Sequence, residues 1–434
     1  MNELKDYMPH LTQAVPHLVD SIFVRGEGPY IWDQNDRRYL DFTSGIGVTN
    51  TGHCHPKVSA AVREQADLLL HTHQNTAFHP PMLRVIQGLR EILPSPLDTF
   101  FFANSGAEAV ESAVKLARQA TKKTNIIAFQ RSFHGRTIGT LSLTASKTIY
   151  KAGYQPLMPG VFFSPFAYCY RCPKAEANPE KFGFDKDCTW PLEELEFILH
   201  SQTAPQETAA MIVEPVLGEG GYIIPPKRFL QGLRRICDEN GILLIIDEIQ
   251  SGFGRTGRYF AFEHFDIVPD ILIMAKGLAS GMPLSGIVSK KELMTAATPG
   301  SHGGTYGGNA VSCAAAAATL EVFKEEGLPE NAAAQGKKLL ARLEKLKNTY
   351  PGIGDVRGLG LMIGVEFVEP GGKVPDKKKA AAVRKACQDN GLLLLTCGTY
   401  DNVIRWIPPL VIEEKHLEEG LNIFAQALQQ TANT

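Results

Sequence analysis

The sequence has no long apolar run, almost no net charge and few cysteines for its length. Its longest apolar stretches, such as Gly241–Ile246 and Leu392–Leu395, are of strand length, whereas a helix that crosses a bilayer needs about 20 apolar residues. With 44 Lys and Arg against 46 Asp and Glu residues, the net charge is −2. That balance argues against a general nucleic-acid binder or a polybasic protein of the membrane surface.

The cysteines and the first residues indicate a compartment. Eight scattered cysteines among 434 residues are typical of free thiols in a reducing compartment. The segment Met1–His10 mixes acids, a lysine and a proline, and it lacks the apolar core of a signal peptide. We therefore expect a cytoplasmic protein of enzyme size, whose partners include neither nucleic acid nor a membrane.

Short apolar runs alternate with segments of helical length from about residue 80 to 324. This alternation predicts an α/β fold, in which helices cover both faces of a mostly parallel sheet. We expect a large domain over residues 61–324 and a smaller α+β domain over 325–434, to which an N-terminal segment 1–60 contributes. The runs read as strands are Thr99–Ala103, Asn125–Phe129, Ala210–Glu214, Ile242–Asp247, Ile271–Met274 and Ser285–Val288.

Charged residues stand where three of these runs end, at Glu214, Asp247 and Lys276. A buried carboxylate is costly unless a cation or a donor meets it, and lysine is seldom buried without a partner. Ligands of doubly wound sheets bind at the carboxyl ends of the strands. We therefore predict a site there, in which Lys276 has a lowered pKa and acts as a nucleophilic amine.

The small turn Asn104–Glu108 connects another run to a helix. Backbone N–H groups and the positive end of the helix dipole make such a turn suitable for a phosphate. An ordinary helix cap without a ligand explains the same residues, and both interpretations stay open at this point.

Three further patterns carry weaker hypotheses. Gly252–Gly257 fits GxGxxG, the pattern of a nicotinamide-dependent oxidoreductase, but five residues separate it from the end of its strand. His53 and His55 have the His-x-His spacing of a metal hydrolase, without clear further ligands. A single CxxC, Cys169–Cys172, with Cys188 after it, leaves a coordination position empty, so we predict that no metal is bound.

Taken together, Asp247–Gln250 and Lys276-Gly277 after their strands resemble the fold-type I pyridoxal-phosphate enzymes, and more narrowly the class III aminotransferases. The resemblance runs from roughly Tyr30 to Glu419 and implies a seven-stranded, mostly parallel sheet in the large domain. Within the class, two segments look most like those of the 4-aminobutyrate aminotransferases, Asn50–His53 and Cys397–Arg405. The further matching motifs are Asn104–Ala109, Phe133–Thr137, Glu214–Gly221, Asp247–Gly257 and Gly303–Asn309.

The resemblance implies that pyridoxal 5′-phosphate is the cofactor and that Lys276 binds it covalently. Asp247 would pair with the pyridine nitrogen, Gln250 would reach the phenolic oxygen, and Phe133 would stack on the ring. Thr305 would reach the phosphate of a neighbouring subunit, which implies a homodimer, or a dimer of such dimers, with shared active sites. The other cofactor-binding residues expected from the motifs are Ser105, Gly106 and Ala107 at the phosphate, with His134, Glu214 and Ile249.

For the substrate, the resemblance implies Ile46, Arg136, Glu219 and Arg405. Arg136 and Arg405 fill the positions of the two arginines that bind substrate carboxylates, and Glu219 that of the acid paired with the second. The expected reaction transfers the amino group of 4-aminobutyrate to 2-oxoglutarate, giving succinate semialdehyde and glutamate. Ornithine or acetylornithine aminotransferases, other ω-amino-acid transaminases and class III amino-acid racemases or epimerases share Lys276 and Asp247, so they stay open as alternatives.

Overall fold

The computed structural model describes residues 4–177 and 188–432. Its strands, in chain order, are β1 (Phe23–Glu27), β2 (Tyr30–Asp33), β3 (Arg38–Asp41), β4 (Thr99–Ala103), β5 (Asn125–Phe129), β6 (Val161–Ser164), β7 (Thr208–Val213), β8 (Leu243–Asp247), β9 (Ile271–Met274), β10 (Ser285–Ser289), β11 (Ile353–Leu359), β12 (Met362–Phe367), β13 (Leu392–Leu393), β14 (Leu395–Cys397) and β15 (Val403–Trp406).

The α-helices follow the same numbering. They are α1 (Ser44–Gly47), α2 (Pro56–Leu68), α3 (Pro80–Ile92), α4 (Gly106–Thr121), α5 (Ile138–Leu143), α6 (Pro173–Ala177), α7 (Trp190–Ser201), α8 (Lys227–Asn240), α9 (Lys291–Met294), α10 (Ala310–Glu325), α11 (Leu328–Thr349), α12 (Lys377–Asp389) and α13 (Glu414–Gln430). Among the residues described, none of these helices is both long and apolar enough to cross a membrane.

The largest sheet has seven strands in the order β4-β10-β9-β8-β7-β5-β6. Strands β5 to β9 pair in parallel, whereas β10 is antiparallel to both of its neighbours, β4 and β9. The predicted α/β fold with a mostly parallel seven-stranded sheet is therefore confirmed.

Alternating side chains of the central strands pack on helices from opposite faces of this sheet. On β8, Leu244 and Ile246 belong to the cluster that contains Leu233 of α8. Ile245 lies in the cluster that contains Val110 of α4. Both faces of the strand are thus covered, which explains why its sequence is continuously apolar and does not alternate.

Two four-stranded sheets lie outside the large one. In the first, ordered β1-β2-β3-β13, Leu40 of the N-terminal part is opposite Leu392 of the C-terminal part. The second is ordered β11-β12-β15-β14 and is antiparallel, and it carries Arg405 on β15. N-terminal strands thus complete a sheet with a C-terminal strand, in support of the proposed small domain, whose bounds stay a prediction.

The topology brings the carboxyl ends of four strands to one edge of the large sheet. Strands β7, β8 and β9 are parallel neighbours, and β4 runs in the same direction because β10 is antiparallel to both β4 and β9. Glu214, Asp247 and Lys276 lie at or just beyond the ends of β7, β8 and β9, and α4 begins beyond β4. This edge is where the sequence predicts a site.

Candidate active site

A cavity of about 580 Å³ opens at this edge of the sheet. Its wall is built from the strand ends, from the start of α4, from loops after β3 and β5, and from β15. Thirteen of the residues predicted for the site line it: Ile46, Gly106, Ala107, Phe133, His134, Arg136, Glu214, Glu219, Asp247, Ile249, Gln250, Lys276 and Arg405.

Lys276 projects from the turn that follows β9, and its amine is buried. Burial, and to a lesser extent the positive charge of Arg405, lower the pKa of this amine to about 8. Its backbone φ of 47° is left-handed, a conformation uncommon for a residue with a side chain. The next residue must be glycine, because a Cβ on Gly277 would lie 2.4 Å from Asn50 Nδ2. The turn is therefore specified around the position of the amine.

Asp247 and His134 form a buried pair beside Lys276. His134 Nδ1 and Asp247 Oδ2 are 2.8 Å apart, and the other carboxylate oxygen accepts a hydrogen bond from the Ile249 backbone N–H at 3.0 Å. The remaining ring nitrogen of His134, Nε2, is buried and has no partner among the described residues. Asp247 is thus oriented by its neighbours.

Glu214 holds two loops of the wall together. Its oxygens accept hydrogen bonds from the backbone N–H groups of Phe133 and Gly218, each at 2.8 Å. Burial raises the pKa of this carboxyl to about 7. Its position below the Phe133 loop and the turn before Glu219 makes it a support for both.

The N-terminus of α4 contributes to the wall of the cavity. The hydroxyl of Ser105 caps the helix by accepting the N–H of Glu108, whose carboxylate in turn accepts the N–H of Ser105. The first N–H groups of a helix have no partner within it, and Gly106 and Ala107 line the cavity there. Ser105 therefore shapes the helix end from outside the wall.

Arg405 and Glu219 form an ion pair in the wall of the cavity. Arg405 Nη1 is 3.0 Å from Glu219 Oε2. The second oxygen, Oε1, accepts hydrogen bonds from Lys147 Nζ at 3.0 Å and from the Tyr150 hydroxyl at 2.8 Å. Burial opposes ionisation of Glu219, but Arg405 and Lys147 outweigh it and lower the pKa of the carboxyl. Glu219 is therefore an anion in contact with three donors.

Arg136 is the other guanidinium of the cavity, and it is exposed. Its carbon Cζ lies 4.4 Å from the ring centroid of Tyr150 and 5.8 Å from that of Phe133. No ion pair with a carboxylate is found for it among residues 4–177 and 188–432. The cavity thus presents one guanidinium that lacks an acidic partner and one that is covered by an acid.

Two predicted residues lie outside the wall, and two unpredicted ones matter to it. Ser105 belongs to the helix cap, and Thr305 is exposed on the loop before α10. Tyr150 lines the cavity, and Lys147, which does not line it, binds Glu219. No motif signals Lys147 or Tyr150, since both belong to a polar segment between α5 and β6 and not to a strand end.

Residues of the weaker sequence patterns are hydrogen-bonded or ion-paired to other parts of the chain. Arg255, within Gly252–Gly257, is fully buried and donates to Asn50 Oδ1 at 2.7 Å. His53 and His55 are paired with single carboxylates, Asp41 at 2.8 Å and Glu326 at 2.9 Å. None of these groups lines the cavity.

The cysteine cluster lies elsewhere in the chain. Cys188 Sγ donates to Cys172 Sγ at 3.1 Å, and Cys188 is also hydrogen-bonded to Cys169. Within the described part of the chain, no group of three or more His, Cys, Asp or Glu side chains has an arrangement that could hold a metal ion. Absence of metal from these cysteines stays a prediction.

Comparison with known proteins identifies the family. The profile of the family "Aminotransferase class-III" matches residues 12–428. The chain is a class III aminotransferase. It is 44% identical over 411 residues to a probable 4-aminobutyrate aminotransferase of Bacillus subtilis, covering 94% of this chain and 93% of that protein. It is 43% identical to a 5-aminovalerate aminotransferase of Pseudomonas aeruginosa, covering 96% and 97% of the two chains.

A solved structure supports the same assignment of the class III fold. The crystal structure of an (S)-enantioselective omega-transaminase from Thermomicrobium roseum superposes on this aminotransferase with a TM-score of 0.90. The two chains are 32% identical, and the match covers 99% of this one and 98% of that one. The expected fold type I is thus confirmed over nearly the whole chain.

Class III aminotransferases depend on pyridoxal 5′-phosphate, and the cavity of this one fits that cofactor. It contains a buried amine of lowered pKa, a buried carboxylate and the N-terminus of a 16-residue helix. Two buried polar atoms of the wall, His134 Nε2 and Gln250 Oε1, have no partner among the described residues. A polar ring that carries an aldehyde and a phosphate would offer a partner to each of these groups.

Proposed function

We propose that this aminotransferase transfers the amino group of 4-aminobutyrate, or of a similar ω-amino acid, to 2-oxoglutarate, giving succinate semialdehyde and glutamate. The observation that carries the proposal is the pairing of Arg405 with Glu219 in a cavity where Arg136 has no acidic partner among the described residues. A donor with one carboxylate at a distance from its amine needs one such guanidinium, and a second bare one would be an uncompensated charge beside its apolar chain.

The positions of the side chains support the cofactor-binding roles that the family resemblance implies. We propose that Lys276 binds the cofactor aldehyde, that Asp247, held by His134, faces the pyridine nitrogen, and that Gln250 faces the phenolic oxygen. Phe133 and Ile249 would cover the ring, and Gly106 and Ala107, with Ser105 as the cap, would hold the phosphate. When bound, the cofactor supplies an electron sink for the carbon from which a proton is removed.

Proton transfer is the task of Lys276. Once the substrate's amine has displaced Lys276 from the cofactor aldehyde, the freed amine, whose pKa is about 8, would be neutral to a large extent near pH 8 and able to accept a proton from the carbon that carries the substrate's amino group. Asp247 contributes by keeping a proton on the ring nitrogen, which the electron sink requires.

The two half-reactions need different carboxylates on Arg405. For the donor, Glu219 stays on Arg405 and Arg136 binds the single carboxylate. For 2-oxoglutarate or glutamate, Arg136 binds the distal carboxylate, and Arg405 must be released by Glu219 to bind the α-carboxylate. Ile46, on the exposed turn before α2, would contact the chain of either substrate.

The names of relatives support the reaction class and a short list of donors. Two of them are named for ω-amino acids, 4-aminobutyrate and 5-aminovalerate. Others are named 2-aminoadipate transaminase, acetylornithine aminotransferase and alanine/serine racemase. The covered Arg405 favours a monocarboxylate over the dicarboxylate 2-aminoadipate, and the separate position of Arg136 favours a donor whose carboxylate is distant from its amine.

The proposed assembly is a homodimer that works in the cytoplasm. Thr305 lies on an exposed loop and away from the cavity of its own chain, a position from which it would reach the phosphate of a second subunit. The adjacent Tyr306 is exposed and apolar, and so is Phe78, whose neighbour His79 contacts the Gly308 carbonyl at 2.8 Å; a partner chain would cover such side chains. The eight cysteines, all within the described residues, are free thiols, as a reducing compartment favours.

A panel of amine donors with 2-oxoglutarate as acceptor tests the substrate. We expect 4-aminobutyrate or 5-aminovalerate to react best, and butylamine, which has the amine but no carboxylate, to react poorly. An Arg136→Gln variant should lose most of that discrimination, because it removes the free guanidinium. If alanine or ornithine reacted better than every ω-amino monocarboxylate, or if alanine were racemised without an acceptor, the proposal would be wrong.

A further inference from the structure

The carboxylate of Glu219 divides its two oxygens between different partners. Oε2 faces Arg405, while Oε1 accepts from Lys147 Nζ and from the Tyr150 hydroxyl. Because the two sets of donors sit on separate oxygens, the contact with Arg405 can be lost while the contacts on Oε1 remain.

Lys147 is itself fixed between two acids. Its ammonium binds Glu219 Oε1 at 3.0 Å and Asp401 Oδ1 at 2.5 Å, and its side chain is only 12% exposed. Burial disfavours the charged amine, but Glu219 and Asp401 outweigh that effect and raise its pKa. Lys377 binds the other oxygen of Asp401 at 2.9 Å from the exposed side. Lys147 is therefore a permanent cation whose position does not depend on Arg405.

Tyr150 connects Glu219 and Lys147 to Arg136, the other arginine of the substrate site. Its hydroxyl donates to Glu219, and its ring lies 4.4 Å from the guanidinium carbon of Arg136 and 5.5 Å, edge to face, from the Phe133 ring. One side chain thus touches the residue that covers Arg405 and the arginine proposed to bind the distal carboxylate.

The charges explain what the cluster is able to do. When a substrate carboxylate takes Arg405, Glu219 loses a cation in a site that is only 15% exposed on its side chain. A buried carboxylate without a cation is strongly disfavoured. Lys147 and Tyr150 already hold its second oxygen, so the displaced Glu219 keeps one ammonium and one hydroxyl.

We propose that Lys147 is a positioning residue for the acceptor half-reaction, with Tyr150 as its helper, because together they retain Glu219 Oε1 as a pivot when Oε2 leaves Arg405. The inference rests on the proposed function, since it concerns how one site accepts both a monocarboxylate and a dicarboxylate. Lys147 touches neither kind of substrate; it acts only by neutralising the displaced Glu219.

Single-turnover rates for the two half-reactions of the Lys147→Met holoenzyme test this role. Methionine keeps the length of the side chain and removes its charge. We expect efficiency with glutamate, and with 2-oxoglutarate in the reverse direction, to fall about 10- to 100-fold, because Glu219 then has no cation after leaving Arg405. Efficiency with the ω-amino monocarboxylate should stay within about 3-fold, because Glu219 stays on Arg405 throughout that half-reaction.

Three further variants separate positioning from a loss of structure. Lys147→Arg keeps the charge and should restore the dicarboxylate half-reaction, whereas Tyr150→Phe should impair it less than Lys147→Met does. Lys377→Met removes the exposed cation on the same Asp401 and should change neither half-reaction. If Lys147→Met does not fold, Tyr150→Phe and Lys147→Arg are compared in its place, using the same ratio of the dicarboxylate rate to the monocarboxylate rate.

Two outcomes would overturn the proposal. Equal losses in both half-reactions of Lys147→Met would show a structural role only, and unchanged rates would show that Glu219 does not need the ammonium. A failure of the proposed function would be recognised separately, because wild-type enzyme would then turn over no ω-amino acid. In that case the ratio of the single-turnover rate with glutamate to the rate with the best monocarboxylate donor still tests the role of Lys147.

Discussion

Replacing Glu219 by glutamine should reverse the substrate preference that the ion pair with Arg405 produces. The variant keeps the shape of the side chain and one oxygen to accept a hydrogen bond, but it removes the negative charge. Arg405, whose side chain is 6% exposed, then presents an uncompensated cation to any bound substrate. A dicarboxylate neutralises that cation with its α-carboxylate, whereas 4-aminobutyrate leaves it bare.

The size of the effect follows from the geometry. Truncating one partner of a buried, hydrogen-bonded charge pair costs about 2–5 kcal/mol. Glutamine still accepts one hydrogen bond from Arg405, so the low end, about 2 kcal/mol, is the better expectation. That corresponds to about a 30-fold fall in 4-aminobutyrate efficiency, while glutamate efficiency should hold or rise because no acid has to be displaced.

Stopped-flow measurement of each half-reaction, on enzyme loaded with cofactor, separates the two effects. The matched control is Arg405→Ala, for which we expect the opposite pattern: 2-oxoglutarate and glutamate lose the partner of their α-carboxylate and suffer most. If Glu219→Gln and Arg405→Ala slowed both half-reactions to the same degree, the exchange of partners at Arg405 would be refuted. A racemase or a transaminase of different selectivity would then fit the site better.

Three other predictions test the cofactor site and the buried acids. Lys276→Ala should abolish transamination without unfolding the protein, and borohydride reduction of wild-type holoenzyme should label one peptide, which contains Lys276; a label on another lysine would contradict the assignment. Asp247→Asn should retain cofactor by absorbance but lose several orders of magnitude in rate, so near-normal turnover would exclude Asp247 as the partner of the ring. Burial raises the pKa of Glu248 from 4.5 to about 7. Its contribution to stability is therefore full below pH 4.5 and is lost as the pH rises through 7, by about 3 kcal/mol. The change in melting temperature caused by Glu248→Gln should accordingly be more favourable at pH 8 than at pH 5, and an equal change at both pH values would refute this.

The sequence predicts the central strands well because burial on both faces leaves an unbroken apolar run. The predicted bounds Thr99–Ala103, Asn125–Phe129 and Ile271–Met274 coincide with β4, β5 and β9. The charged residues directly after such runs were equally informative, since Asp247 and Lys276 have few reasons to follow a buried strand other than chemistry. These two features predict six of the seven strands of the large sheet and the position of the cavity, whereas the edge strand β6 is not among the predicted runs.

Strand β11 shows where the same rule fails. Its sequence, Ile353–Leu359, contains Asp355 and Arg357, which do not fit an apolar run. Both are buried, because Arg357 binds Asp355 and Glu366 of the neighbouring strand, each at 2.7 Å. Arg357 also donates to the carbonyls of Gly221 and Tyr222, 136 and 135 residues earlier in the chain. A polar residue that is satisfied by such distant partners cannot be told from an exposed one by local pattern alone. The strand was therefore missed.

The cluster around Glu219 was missed for the same physical reason, and with a greater consequence for function. Lys147 stands in a polar segment, 72 residues before Glu219 and 254 residues before Asp401, so no spacing relates the three. Motifs supplied Glu219 and Arg405 as a pair, and a pair alone implies that the acid must swing into solvent when it leaves the arginine. With Lys147 and Tyr150 on its other oxygen, the proposed pivot needs only a rotation of the carboxylate, and the displaced charge would keep an ammonium beside it. The change of substrate would thus depend on Lys147, which lies outside the wall of the cavity, and only the assembled charges reveal that dependence.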